Sequence, residues 1–228
     1  MSGVSGAGMR LPPEIRPRRG TIAPELTEEL PGLGLHWVQL AGRDGRSAPE
    51  MVARLQQLAN GFRGPAVIAM RTKPVPAAYR NFFRQIGLDP DVTRPPGEQA
   101  ALSRLFHGTL RSEGKLADAL LVALVETGVP IWALDAGRAN GAALSIRTAR
   151  PQERLGPGPG GHPLAKGTLV VADDQLVHAI LFGARSPDSA VRPDTRELVL
   201  FAVSVEGVPL IHVEEAFWLA TEALRDAV

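Results

Sequence analysis

Arg80, Arg84, Arg94 and Arg104 are interleaved with Tyr79, Phe83 and Phe106 in one stretch of the chain. Guanidinium groups fork onto carboxylate or phosphate oxygens and aromatic faces stack on bases, so this mixture suits RNA or an aminoacyl ester. Two amphipathic helices with ordinary charged outer faces would give the same residues, and both readings stand at this point. The five histidines are the next candidates, because imidazole serves as base, acid or metal ligand near neutral pH. In "HVEE", His212 and Glu215 share a helical face, but a second His at metal-ligand spacing is missing. The stretch reads as a helix start whose acids suit the macrodipole, and no metal centre is expected. His107 precedes Gly108 and caps a last helical turn, His178 falls within a strand, and His162 sits in an exposed glycine loop.

Other chemistries lack their residues. "GPGPGG" has no Lys-Ser or Lys-Thr behind it and no helix to follow, so it is not a phosphate cradle. A G-x-S-x-G elbow is absent, which removes the α/β-hydrolase pattern. Asp173 and Asp174 in "VVADD" are explained by a turn between strands. With no cysteine there are no disulfides, thiolate nucleophiles or Cys-based zinc sites. Cofactors are not expected.

The elements that must position these residues can be read from periodicity. "LGLHWVQL" is a strand, and "SAPEMVARLQQLANG" a helix with Ser47 as N-cap and Gly61 as its stop. "AVIAM" reads as a short buried strand. "VPAAYRNFFRQIG" is a helix with Ala78, Phe82, Phe83 and Ile86 inward, and another starts at Pro95 or Pro96 and ends at Gly108. "KLADALLVALVETG" carries a broad stripe, Leu116, Ala117, Leu120, Leu121 and Leu124, that suits deep packing. "ETGVPIWALDAGR" breaks at Gly128 and Pro130 and becomes a strand with Trp132 at its centre, either a core side chain or the wall of a pocket. "ALSIRTA", "TLVVADD", "LVHAILFG" and "ELVLFAVSV" are further strands, and "HVEEAFWLATEALRDAV" is a helix with Val213, Ala216, Phe217, Ala220 and Leu224 inward. Helices early and strands late predict an α+β fold, layered mixed β-sheets packed with helices.

With 228 residues, 44% of them hydrophobic, the chain can hold one substantial core. A flexible N-terminal arm over residues 1–25 and a single domain over 26–228 are expected. Lys and Arg number 25 against 24 Asp and Glu, so no global positive field points to nucleic acid, DNA is not expected, and RNA binding would need a local patch. No apolar run is long enough to cross a bilayer, and "MSGVSGAGMRLPPEIRPRRG" lacks the apolar centre of a signal peptide. A cytoplasmic location follows as the expectation.

The stretch "YRNFFRQIGLDPDVTRPPGEQAALSRLFHG" resembles free-standing B3/B4 domain proteins, related to the tRNA-editing module of the bacterial phenylalanyl-tRNA synthetase β subunit. Tyr79, Arg80, Gly87, Asp89, Pro90, Arg94, Pro95, Glu98 and Arg104 carry the likeness. It continues through "LADALLVALVETGVPIWALD", "GTLVVADD" and "AILFG". The resemblance implies the B3/B4 fold and an aminoacyl-tRNA partner. In the synthetase module a mischarged Tyr ester is hydrolysed by an oriented water with donors for the oxyanion. The departures are specific. Trp132 stands where that module has a His, Leu120-Leu121 where it has Thr-Asn, and Gly183, Ala184 and Arg185 where it has Gly-Gly-Glu.

An apolar site cannot reward a Tyr hydroxyl, so Tyr editing by that route is not expected. Trp132 is expected to fill volume and exclude water. Two readings remain: a stand-alone domain that binds tRNA or aminoacyl-tRNA, with a trans-acting deacylase of altered pocket as its catalytic form, or a non-catalytic small-ligand or protein-interaction module. The candidate binding residues are Tyr79, Arg80, Arg94, Glu98, Arg104, Leu120, Trp132 and Arg185.

Overall fold

The central strand of the molecule is the stretch "ELVLFAVS". An uninterrupted apolar run of this kind belongs to a strand covered on both faces, and from Leu198 to Ser204 every residue is buried. The computed structural model describes residues 16–61, 64–156 and 161–225. In chain order the elements are β1 (Arg18–Arg19), β2 (Thr21–Ile22), α1 (Pro24–Glu29), β3 (Gly34–Ala41), α2 (Pro49–Gly61), α3 (Gly64–Met70), α4 (Pro74–Gln85), α5 (Pro96–His107), α6 (Lys115–Thr127), β4 (Ile131–Asp135), β5 (Ser145–Thr148), β6 (Arg154–Leu155), β7 (His162–Pro163), β8 (Leu169–Ala172), β9 (Val177–Ile180), β10 (Glu197–Ser204) and α7 (Leu210–Arg225).

Two sheets form the layers. The first is antiparallel in the order β1-β3-β10-β4, and the second runs β2-β5-β8-β9. Trp37, Phe201 and Trp132 are direct cross-strand partners, so they share a face of the first sheet. That face meets the second layer: a Cβ at Gly141 would come within 2.6 Å of the Trp37 ring, and Phe182, just beyond β9, lies 5.6 Å from Trp132. Helices α6 and α7 lie side by side, α7 against β10 and α6 against β4. The inward residues expected of α7, Val213, Ala216, Phe217, Ala220 and Leu224, are all buried. This is an α+β architecture of sheets packed with helices. No helix among the described residues is long and apolar enough to cross a membrane.

Helix ends follow their residues. Pro74 and Pro96 occupy first-turn positions, where a missing N–H costs nothing. Gly108 and Gly128 end α5 and α6 at φ of 71° and 77°, a left-handed conformation that favours glycine, and the Gly128 N–H donates to the Leu124 carbonyl.

Several expectations need correction. "AVIAM" is not a buried strand but most of α3, with Ile68 largely exposed. Five apolar residues are too few for periodicity to separate strand from helix. The boundary expected at residue 25 falls inside folded chain: β1 pairs with β3, β2 with β5, and Leu26 of α1 is buried. Residues 1–15 lie outside the described residues. Ser47 does not cap α2; it donates to the Asp118 carboxylate. The stripe on α6 is also rotated. Leu116, Ala119, Val122 and Ala123 are buried, Ala117 is exposed, and Leu120, Leu121 and Leu124 are half-buried.

Candidate functional site

The half-buried face of α6 opens onto a cleft. Together with the edge strand β4 and the turn after β9 it bounds a cavity of about 570 Å3, with Leu120, Leu121, Leu124, Pro130, Ile131 and Trp132 as an apolar floor. Gly183 and Arg185 form the far wall, and Ser103, His107, Thr109, Arg111 and Glu113 the rim. A second hollow of about 660 Å3 shares Ala117, Leu120, Gly183 and Arg185 with the first and extends it toward Asp44 and Val191. A floor of aliphatic and indole surface under a polar rim is the usual build of a small-molecule site.

Trp132 is held as well as exposed to the cleft. Its ring stacks on Phe201 at 5.3 Å and 19°, and meets Phe182 edge-on. The expectation that it fills the site is therefore corrected: the indole packs on the core with one side and lines the cavity with the other.

Asp118 anchors the rim. A carboxylate buried inside an apolar helix needs donors, and it accepts hydrogen bonds from the Ser47 and Ser112 hydroxyls and from the Glu113 N–H at 2.9 Å. These bonds tie the α5–α6 loop and the start of α2 to α6. Asp44 adds a cap, accepting from the Leu116 N–H at 3.0 Å. Arg185, opposite, is exposed, and its guanidinium has no hydrogen bond or ion pair among the described residues. Arg111 is likewise exposed at the rim. No group of three or more His, Asp or Glu side chains among the described residues is placed to hold a metal ion.

Three of the expected site residues, Leu120, Trp132 and Arg185, meet in this cleft. The others divide differently. Tyr79 is buried and donates to the Val203 carbonyl at 2.8 Å, joining α4 to β10. Arg80 is 7% exposed; it donates to Glu98 at 3.0 and 2.8 Å and to Asp91 at 2.9 Å. Glu98, itself buried, also takes Arg71 at 3.4 Å. Hydrogen bonding from Arg80 holds the Asp91 carboxyl below its ordinary range. Arg80 and Glu98 thus lock α4 to α5 and are spent on each other, which corrects their reading as ligand contacts. Arg94 is half-buried, its Nε without a partner among the described residues. The Arg104 side chain lies outside the described set.

The histidines sort by burial. His107 stands exposed at the cleft rim, and His162 is exposed in β7. His212 lies 3.5 Å from Glu215, as their shared helix face implies. His178 is fully buried with Nε2 3.1 Å from Asp173, and burial pushes its imidazole below the ordinary range. Asp173 is the turn anchor expected, accepting the N–H groups of Asn140, Gln175 and Leu176. Asp118 and Arg111 were not singled out from the sequence. A lone acid on the apolar stripe of α6 is the signal that could have found the first; nothing local marks the second. A family model described as B3/4 domain matches residues 78–226, more than half of the chain, and takes in α6, β4 and the turn that carries Arg185.

Proposed function

Since the chain belongs to the B3/4 domain family, we propose that its cleft receives the aminoacyl end of a charged tRNA whose amino acid is apolar. One observation carries the reading: Leu120, Trp132 and Arg185, far apart in sequence, converge on one cavity with an apolar floor and a polar rim, and its Arg185 guanidinium has no partner among the described residues. The floor offers dispersion contact and water exclusion to an aliphatic or aromatic side chain. It offers no reward to a hydroxyl, so selection runs by shape and apolarity. Arg185 and Arg111 supply forked donors for the terminal phosphates. Asp118 holds the rim in place while committed to three donors of its own.

Filter binding with aminoacyl-tRNA pools tests this. Retention should weaken as salt rises, because phosphate contacts release counterions. R185E and R111E should each lower retention while leaving the thermal melt unchanged. A folded protein that retains no aminoacyl-tRNA at low salt overturns the proposal. Incubation with mischarged pools then separates binding from hydrolysis. Release of an apolar amino acid, abolished in H107A, assigns His107 as the general base of a trans-acting deacylase; full retention of the ester leaves a binding domain.

A further inference from the structure

At the end of the first sheet, where β3 begins and β10 finishes, a separate hollow of about 340 Å3 is lined by Arg19, His36 and Ser204. The register brings them together. Arg19 pairs with His36 across β1 and β3, and Ser204 pairs with Gly34 two residues before His36, so all three project from one face. His36 Nε2 lies 2.9 Å from Ser204 Oγ, and both residues are buried. Arg19 is exposed, and its guanidinium has no hydrogen bond or ion pair among the described residues. The lining contains no carboxylate; Glu206 stands behind Gly32, outside the lining.

The space exists because side chains are missing. A Cβ at Gly34 would fall 2.5 Å from Ser204 Oγ and 3.1 Å from His36 Nε2. Leu33, Val208 and Leu210 give the remaining wall an apolar character. Burial, with Arg19 adding to it, holds the His36 imidazole below its ordinary range and so in the neutral form. In the tautomer that carries its proton on Nε2, the His36 imidazole donates to Ser204 Oγ and the serine hydroxyl proton is free to point into the hollow; the other tautomer would take that proton.

We propose that this hollow is a binding site for a small monocarboxylate with a short apolar tail, its carboxylate held by Arg19 and the Ser204 hydroxyl and its tail against Leu33, Val208 and Leu210. The site is independent of the aminoacyl cleft. A cation without a partner among the described residues, facing a cavity whose lining has no acid, is complementary to one negative charge, and the apolar wall distinguishes a carboxylate with a tail from an inorganic anion.

Butyrate titrated into the 15N-labelled full chain, followed by amide and imidazole resonances, is the test. The Gly34 and Ser204 amides and the His36 ring should shift and saturate at millimolar butyrate. R19A should weaken the response about tenfold, the loss of a charge-assisted hydrogen bond. G34A, which fills the hollow from the backbone side, should abolish it, and the remaining spectrum reports whether that variant is folded. Methyl butyrate, which lacks the charge, should leave these resonances in place. Equal shifts with chloride or methyl butyrate, an unchanged response in R19A, or butyrate shifts confined to the Leu120 and Arg185 cleft would each overturn the site.

Discussion

Removing Glu98 tests how α4 and α5 are held together and, with it, whether Arg80 is available to any ligand. In E98A the Arg80 guanidinium, 7% exposed, loses two hydrogen bonds of 3.0 and 2.8 Å and keeps only the exposed Asp91 at 2.9 Å and the Pro90 carbonyl at 3.5 Å. A buried charge left wholly uncompensated costs about 3–5 kcal/mol, and the Asp91 and Pro90 contacts that remain lower this to about 2–3 kcal/mol. With a urea m-value of about 3 kcal/mol per molar, the unfolding midpoint should fall by about 0.7–1 M. The double variant R80M/E98L removes both charges at similar volume and should recover most of the loss, since apolar replacements of buried ion pairs are often neutral. Urea titrations of the three proteins by circular dichroism and tryptophan fluorescence give the comparison. An E98A midpoint within about 0.3 M of wild type, or a double variant no better than E98A, refutes a structural lock. In the filter assay R80M/E98L should retain aminoacyl-tRNA as the wild type does; a loss there with a normal midpoint would return Arg80 to the ligand contacts.

Further expectations concern other parts of the scaffold. Y79F removes the bond from α4 to the Val203 carbonyl and should cost about 1–2 kcal/mol in urea unfolding, with an unchanged cost arguing that the carbonyl finds a new partner. W132A deletes an indole stacked on Phe201 and should lose about 2–3 kcal/mol because one side of the ring already faces the cleft, while retention of apolar aminoacyl-tRNA falls. Stability should also fall as pH drops. Burial lowers the His36 imidazole, with Arg19 contributing, and burial lowers that of His178 against the attraction of Asp173. The unfolded chain then binds more protons than the folded one below about pH 6.5, so the two contributions are complete above that pH and are lost below it. Urea midpoints taken from pH 7.5 down to 5 should decline, less steeply in H178Q, and a flat wild-type profile contradicts this.

Much of the scaffold was legible because its signals are local. The stripe of α7 and the apolar run of β10 each announce an element whose partners lie on either side, and Gly108 and Gly128 announce where helices stop. The face of α6 was not legible. Its apolar residues cover more than one side, and only the positions of β4 and the 183–185 turn decide that Leu120 and Leu121 face a cavity while Ala119 and Val122 are buried. The site shows the same limit. Leu120 and Arg185 came from a family pattern and not from their chemistry, since nothing in a leucine or an exposed arginine marks a ligand wall, whereas Trp132 stood out in its own strand as core or pocket wall. Arg80 and Glu98 had the types of surface charges, and their burial against each other across eighteen residues of chain is a tertiary fact. His36 and Ser204, separated by 168 positions, had no sequence signal at all.

Phe182 draws these parts into relation. Its backbone sits at φ 56°, a conformation a bulky side chain rarely adopts, while its ring meets Tyr79, Phe82, Phe83 and Trp132 between 5.3 and 5.8 Å. The next residues, Gly183 and Arg185, are the wall of the cleft. The turn is therefore held by a ring cluster on its inner side and is free to change letters on its outer side. Substitutions at 120, 184 or 185 can re-specify what the cleft accepts without disturbing the packing that holds the turn, whereas a change at 182 removes the ring that balances the strained backbone. Such an arrangement separates the inheritance of a fold from the inheritance of a substrate, and gives a lineage room to exchange one ligand for another while its core stays the same.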